Sequence, residues 1–332
     1  MILIITNKED VHPTPVIQYL SERQIPVFRL NTESLLTDYQ FCWRCDSQVM
    51  GFRIKNIHTG IEIQGADITA VWDRRPEEPK ELPFDNSTEI NNHNLKEALG
   101  FLRFLRYFIK DIWSIGSIVN DRVASSKMLQ MRVARFVGFL VPDTCFSNRK
   151  EDIMKFASHY ENIVLKPIEN DSVLDEKNSK EYFFYTRKVS SNSIADVPEE
   201  AFSQTVSYVQ SYIEKQYELR ITVVNNEVFA CKIDSQILDE DKGKIDWRQG
   251  YDYGLKYEVY DLPWKIEEQC CSYLDELGLN FGCFDIIVTP KNEYIFLECN
   301  PNGQWLWIEQ ETGMKISEAI AESLNSISAF YD

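Results

Sequence analysis

The first thirty residues combine apolar runs with one amphipathic segment. Residues 2–6 (ILIIT) are an apolar run typical of a buried strand, residues 27–30 (VFRL) are predicted as a second strand, and a helix is predicted near 13–23 between them. A strand, a helix and a second strand in this order predict a βαβ unit with a small parallel sheet. From about 39 to 72 the pattern changes to short alternating strands.

The next part of the chain predicts two helices. Residues 73–94 are polar and proline-rich, which predicts a linker or long loop. A helix is predicted over 95–113, because its large apolar residues recur on one stripe. These residues are Leu95, Leu99, Leu102, Leu105, Ile109 and Ile112. Asn120 and Asp121 favour the start of another helix, over 122–137.

The remainder predicts a mixed unit with a mainly antiparallel sheet. Strand patterns occur in eight segments: 141–146, 162–168, 182–186, 207–213, 218–224, 227–233, 281–289 and 293–299. Helices are predicted over 150–159, 263–277 and 315–328. Polar loops are predicted over 169–181 and 235–254. We therefore expect an α/β (α+β) protein with three parts: an N-terminal domain over 1–118, a central lobe over 119–208 and a C-terminal lobe over 209–332.

Net charge and cysteine content exclude several classes of function. The 332 residues carry a net charge of -17, which argues against general binding to nucleic acid or to an anionic membrane. No membrane span or signal peptide is evident, and eight scattered cysteines fit a reduced, cytoplasmic setting. Cys42 and Cys45 have CxxC spacing without a second pair, and the four histidines suggest no catalytic triad.

A hairpin near the C-terminus carries three oxygen-bearing side chains. Asp285 lies in the apolar run FGCFDIIVT, and Glu298 and Asn300 lie two residues apart at the end of EYIFLECN. Residues two apart on a strand share a face. Oxygen ligands without His or Cys suit a hard cation, and Mg²⁺ with nucleotide phosphates is the usual occupant.

Cationic and hinge-like positions accompany this hairpin. Lys127 lies on the helix that follows Asn120 and Asp121, and Lys166 ends the apolar strand IVLKP, so both are candidates for binding phosphate. The apolar strand that meets Gln210 and Ser211 is typical of a hinge whose backbone bonds an adenine edge. Glu218 and Arg220 share one strand face, and Arg248 is a further candidate for a phosphate clamp. The chain contains neither a P-loop nor a GxGxxG motif.

These motifs, in this order, resemble the ATP-grasp superfamily over about residues 120–320. The resemblance implies ATP and Mg²⁺. It implies phosphate contacts by Lys127, Lys166, Arg220 and Arg248, of which Lys166, Arg220 and Arg248 would act in catalysis. It implies that Gln210, Ser211, Tyr212 and Ile213 form the adenine hinge and that Glu218 binds the ribose. The implied metal ligands are Asp285, Glu298 and Asn300. One departure from many relatives is the absence of a glycine-rich lid after Lys166, where the sequence reads PIENDSVLDEKNSK.

A closer resemblance is to the ATP-grasp peptide maturases of microviridins and other graspetides, and it spans nearly the whole chain. It rests on AVWDRRP (70–76), YFFYTRKVS (182–190) and NPNGQWLWIE (300–309), and the opening MILIIT and VFRLNTE agree with it. It implies a pre-ATP-grasp N-terminal domain and ATP-dependent activation of Asp or Glu side chains in a precursor peptide. These then join to Ser or Thr hydroxyls or Lys amines of the same peptide.

The peptide-binding surface is left open by the sequence. Trp305 and Trp307 could wall a peptide groove or pack a helix on the sheet, and Arg74 and Arg75 could steer an acidic core peptide or lie on the surface. The resemblance further implies a leader-bearing precursor and a homodimer. Two alternatives stay open: a carboxylate-amine ligase that adds an amino acid to a protein or metabolite, and a non-catalytic nucleotide-binding regulator.

Overall fold

The computed structural model describes residues 1–117, 119–169, 172–175, 180–237, 241–249 and 254–328. The chain forms a mixed α/β fold with a parallel sheet at its N-terminus and an antiparallel sheet at its C-terminus. Within the described residues, no helix combines the length and apolarity needed to cross a membrane.

The N-terminal part contains two sheets. Its elements are β1 (Ile2–Thr6), α1 (Pro13–Glu22), β2 (Val27–Asn31), α2 (Leu35–Asp38), β3 (Tyr39–Cys45), β4 (Met50–Asn56), β5 (Glu62–Gln64), β6 (Ala70–Asp73), α3 (Thr88–Phe108) and β7 (Ser114–Ile115). Strands β2, β1, β6 and β7 form the predicted parallel sheet, and β3, β4 and β5 form an antiparallel one.

The long N-terminal helix differs from its prediction. It begins at Thr88 and ends at Phe108, whereas the apolar stripe predicted 95–113 and a loop up to 94. The hydroxyl of Ser87 caps the helix by accepting a bond from the Ile90 amide. A capped polar turn can therefore precede the amphipathic stripe, and the stripe alone marks neither end of the helix.

The central lobe is an antiparallel sheet with flanking helices. Its elements are α4 (Asn120–Ala124), α5 (Lys127–Phe136), β8 (Thr144–Ser147), α6 (Lys150–Ala157), β9 (Asn162–Lys166), β10 (Ser172–Asp175), β11 (Lys180–Phe183), β12 (Arg187–Ser190), α7 (Glu199–Ser203) and β13 (Ser207–Ser211). The sheet order is β12-β9-β13-β8. Because β13 pairs with β8 and β9, we propose that this lobe extends to Ser211 rather than ending at 208.

Two predictions for this lobe are wrong. The single helix over 122–137 is two helices, because the Ser125 hydroxyl bonds the Asp121 carbonyl and Ser126 is extended. The acidic segment 169–181, predicted as a loop, includes β10 and the start of β11, which pair with each other. Both strands are mostly exposed, so hydrophobic alternation gives no signal for them. Residues 170–171 and 176–179 lie outside the described residues.

The C-terminal lobe is a five-stranded antiparallel sheet in the order β16-β15-β14-β17-β18. Its elements are β14 (Tyr217–Val224), β15 (Glu227–Ile233), α8 (Asp241–Ile245), β16 (Tyr257–Val259), α9 (Trp264–Leu277), β17 (Phe281–Val288), β18 (Tyr294–Asn300), α10 (Leu306–Thr312) and α11 (Ile316–Ser328). The sequence pattern predicted neither β16 nor α10, both of which are short, and α8 lies in the segment predicted as the loop 235–254.

The N-terminal domain and the C-terminal lobe share one hydrophobic core. Ile4 and Trp72 of the parallel sheet belong to the same buried cluster as Phe281 of β17, Trp305 and Ile320 of α11. Burial of this much apolar surface fixes the N-terminal domain against the segment that follows β18. The other face of the antiparallel sheet packs on α5 and α9.

Candidate active site

A cavity of about 320 Å³ lies between the central sheet and the C-terminal sheet. Its volume is in the range of small-molecule sites. Eleven of the residues proposed from the sequence line it: Lys127, Lys166, Gln210, Ser211, Tyr212, Ile213, Glu218, Arg248, Asp285, Glu298 and Asn300. The two lobes therefore bring together residues that are up to 173 positions apart in the chain.

The hairpin of β17 and β18 places two carboxylates opposite each other. Asp285 pairs in register with Glu298, and Asn300 pairs with Cys283 two residues further along. The register shifts between Asp285 and Ile286, where a bulge interrupts the ladder. Bulges re-aim side chains and are frequent beside active sites.

The pKa values of the two carboxylates are shifted in opposite directions. Burial, together with the charge of Glu298, raises the pKa of Asp285 to about 6, although Arg220 opposes the rise. Burial would also raise the pKa of Glu298, but the charges of Lys127 and Lys166 outweigh it and hold that pKa well below its usual range. Glu298 is therefore ionised at neutral pH and accepts a bond from Lys127 Nζ at 2.5 Å.

These residues fit a hard divalent cation. Asp285 Oδ1 is buried and has no hydrogen-bond partner among the described residues, whereas Oδ2 accepts from Arg220 at 2.9 Å. Among the same residues, no group of three or more His, Cys, Asp or Glu side chains forms a complete metal cage. Two carboxylates and one amide oxygen with open positions suit Mg²⁺, which usually takes further ligands from phosphates and water.

Lys127 occupies the N-terminus of α5 rather than the interior of a longer helix, which corrects the predicted helix boundaries. Helix N-termini favour anions. Lys166 closes β9, and burial lowers the pKa of its ammonium to about 8. Two cations thus line the same cavity as the two carboxylates, and one of them, Lys127, contacts Glu298 directly.

The end of β13 forms the connection between the lobes. Ser211 N donates to the Asp143 carbonyl at 2.9 Å, and Asp143 N donates back to Ser211 Oγ at 3.2 Å. The Gln210 side chain is buried and donates to Thr144 Oγ1 at 3.0 Å. Its amide therefore braces β8. Tyr212, under the ammonium of Lys188 at 3.8 Å, and Ile213 continue along the cavity wall.

Glu218 is buried and held by two donors. Lys215 Nζ lies 3.0 Å from its Oε1, and Ser235 Oγ donates to the same oxygen at 2.9 Å. Lys215 also donates to the Ile245 carbonyl at 2.7 Å. Lys215 was not among the predicted site residues, although it lies three residues before the predicted ribose acid in EKQYELR.

The two arginines proposed as phosphate clamps lie in different environments. Arg220 is buried, contacts Asp285, and donates to the Gln304 carbonyl at 3.2 Å, behind the carboxylate rather than on the cavity wall. Arg248 lines the cavity and forms a bidentate pair with Asp246 at 2.9 and 2.7 Å. Asp246 also accepts from the Thr186 amide, so it joins two segments beside the cavity, a role the sequence did not reveal.

Two of the four side chains considered for peptide contact are buried. Arg74 is 1% exposed and Trp305 is 0% exposed, so a peptide cannot reach either side chain. Trp305 packs edge-to-face on His12 at 5.2 Å, which is the packing role that the sequence left open. Trp307 lies against Trp247 and Tyr257, and Arg75 is exposed.

Family models match both parts of the chain. The model of the MvdD pre-ATP grasp domain matches residues 1–120, and that of the prokaryotic glutathione synthetase ATP-grasp domain matches residues 127–295, about half of the chain. The search of curated proteins found no significant match.

Solved structures agree with these models over nearly the full length. Macrocyclase MdnC from Microcystis aeruginosa MRC, bound with precursor peptide MdnA, is 29% identical with a TM-score of 0.82, over 98% of this chain and 99% of that chain. A RiPP-associated ATP-grasp ligase from Chryseobacterium gregarium, in complex with ADP and a leader and core peptide, is 27% identical with a TM-score of 0.87, over 98% and 96%. Macrocyclase MdnB from Microcystis aeruginosa MRC is 25% identical with a TM-score of 0.76, over 97% and 98%. The chain therefore belongs to the ATP-grasp ligase family and carries an MvdD pre-ATP grasp domain at its N-terminus.

Proposed function

We propose that this protein is an ATP-dependent peptide ligase that forms macrocycles in a ribosomally made precursor peptide. It activates Asp or Glu side chains as acyl phosphates and joins them to Ser or Thr hydroxyls, or to Lys amines, of the same peptide. The observation that carries the proposal is the full-length match to a peptide-bound macrocyclase, combined with a cavity that is lined by both cations and carboxylates.

The cavity suggests a position for each part of ATP. We assign the adenine to the end of β13 with Tyr212 and Ile213, and the ribose to Glu218. Lys127, Lys166 and Arg248 then lie where they can hold phosphates. The proposed Mg²⁺ ligands are Asp285, Glu298 and Asn300; when bound, the cation neutralises phosphate charge and orients the terminal phosphoryl group.

The reaction needs no enzyme nucleophile. A carboxylate oxygen of the peptide attacks the γ-phosphorus, the bond to ADP breaks, and an acyl phosphate forms. A peptide hydroxyl or amine then attacks the acyl carbon, loses its proton and releases phosphate. Lys166 and Arg248 stabilise the charge on the transferred group, which is the main task in phosphoryl transfer. Arg220 acts from behind Asp285 and fixes its orientation.

The precursor is proposed to carry a leader and a core with Thr, Ser or Lys beside Asp or Glu. Arg75 and Trp307 remain candidates for contact with the core segment of the peptide. Arg75 is exposed, and Trp307 is half-buried and packs on Trp247, which lines the cavity. Homodimer formation and a cytoplasmic location complete the proposal.

A double substitution at the proposed metal site tests it. Glu298→Gln with Asn300→Ala should abolish peptide-dependent ADP formation, because one charge and one oxygen ligand are lost while the backbone pairing of β17 and β18 is kept. The matched control is Glu276→Gln with Asn192→Ala, since both residues are exposed and lie outside the cavity. Turnover retained by the first variant would contradict the metal assignment.

A further inference from the structure

The turn that follows β18 is held by side chains distant in the sequence. We name residues 300–305 the ligand turn, because it begins at the proposed ligand Asn300. Within the turn, the Asn302 amide donates to Asn300 Oδ1 at 3.0 Å and the Gly303 amide donates to the Asn300 carbonyl at 3.2 Å. A shift of the turn therefore moves Asn300 directly.

Arg74 makes the central contact from the N-terminal domain. Its Nη1 donates to the carbonyls of Asn302 at 2.7 Å and of Gly303 at 3.0 Å, across 228 and 229 positions of sequence. The guanidinium is 1% exposed, and its Nε lies 3.6 Å from Asp10 Oδ2. Burying an arginine is costly, so its two bonds to one turn indicate a specific positioning role.

Other groups hold the same turn. Asp121 Oδ2 accepts from Asn302 Nδ2 at 2.5 Å, and His12 Nε2 accepts from the Trp305 amide at 3.4 Å. The turn has little room to move, since a Cβ on Gly303 would lie 2.4 Å from the Cβ of Cys283. Contacts from the N-terminal domain and α4 thus converge on one short segment.

We propose that Arg74 is a positioning residue of the metal site, and that the N-terminal domain acts through it to hold Asn300 beside Asp285 and Glu298. The inference rests on the proposed function, since it requires that these residues bind a divalent cation. It differs from peptide binding, because Arg74 is buried and its guanidinium contacts the backbone of the ligand turn and the Asp10 carboxylate.

Direct binding of Mn²⁺ in the presence of ADP, measured by electron paramagnetic resonance, tests the proposal. Arg74→Met should weaken Mn²⁺ binding by about 10- to 100-fold, the range typical of groups that orient metal ligands. ADP binding in EDTA should stay unchanged, and amide exchange of residues 302–305 should become faster. Arg74→Lys should recover part of the loss, because an ammonium can bond one of the two carbonyls.

Controls separate the possible failures. Arg53→Met removes the same charge from an exposed position on β4 and should leave Mn²⁺ affinity unchanged. If Arg74→Met does not fold, Asn302→Ala removes the bond to Asp121 and should weaken Mn²⁺ binding by several-fold. Wild-type Mn²⁺ affinity and amide exchange in the folded Arg74 or Asn302 variants would overturn the inference. If Glu298→Gln also leaves Mn²⁺ affinity unchanged, the metal assignment itself fails.

Discussion

Replacement of Lys166 by methionine should have opposite effects on nucleotide affinity and on stability. An ammonium that binds phosphate contributes a charge-assisted hydrogen bond of about 1.5–3 kcal/mol. Losing it should weaken ADP binding by about 10- to 150-fold, at about 1.4 kcal/mol per tenfold. Methionine keeps the length and apolar body of the side chain, so β9 should remain intact.

The nucleotide-free protein should become more stable. Burial lowers the pKa of Lys166 from 10.5 to about 8, which corresponds to about 3 kcal/mol of stability lost at neutral pH, at about 1.36 kcal/mol per decade. The sign follows from proton linkage, because the folded state holds this proton less tightly than the unfolded state. Wild-type stability should therefore rise between pH 8 and 10.5, and the methionine variant should lack that rise.

Isothermal titration calorimetry with ADP and urea unfolding in EDTA measure the two effects. Lys155→Met, on an exposed face of α6, is the matched control and should change neither quantity. Unchanged ADP affinity in Lys166→Met would remove this lysine from the nucleotide site. A large loss of stability would refute the inference that desolvation of the Lys166 ammonium destabilises the fold.

Three further predictions concern other parts of the structure. Gly303→Ala should destabilise the fold by about 1–3 kcal/mol and abolish turnover, because the new methyl would lie 2.4 Å from the Cβ of Cys283. Thermal melts measure the stability and ADP release measures the turnover, and wild-type values of both would contradict the prediction. Burial alone would raise the pKa of Asp10, but hydrogen bonds from His12 and the charge of Arg74 outweigh burial and lower that pKa to about 2. Because the folded state holds this proton less tightly than the unfolded state, about 2 kcal/mol of stability should be lost as pH falls from about 4 to 2. Asp10→Asn should flatten that dependence in urea titrations, and an unchanged slope would argue against it. Glu218→Gln should weaken ADP more than 2′,3′-dideoxy-ADP in calorimetry, whereas equal losses would exclude ribose contact.

The sequence predicted those features whose signal is local. Two local signals were sufficient to propose that Asp285, Glu298 and Asn300 meet: the single carboxylate within the apolar run of β17, and the two-residue spacing of Glu298 and Asn300. The register of the hairpin places these residues together. The parallel βαβ opening was likewise visible, because β1 is buried on both faces and its sequence is an apolar run.

Features that depend on long-range contacts were not predictable. Arg74 looked like half of a surface arginine pair, and only the shared core shows that it reaches carbonyls 228 positions away. Lys215 and Asp246 have charged partners nearby in the sequence, but their place beside the cavity depends on contacts with other segments. Lys215 donates to the Ile245 carbonyl, and Asp246 accepts from the Thr186 amide, and neither contact has a local sequence signal. The exposed strands β10 and β11 bury too little apolar surface to produce a periodic pattern.

The most direct test of the central claim is intact-mass spectrometry of a peptide substrate. The purified protein is incubated with Mg²⁺, ATP and a leader-bearing precursor peptide with Thr and Glu or Asp in its core. The proposed function predicts that the peptide loses the mass of one water for each ring, with one ADP formed per ring. An unchanged peptide mass, with ADP formed only when a free amine or amino acid is added, would contradict macrocyclisation and favour an amino-acid ligase.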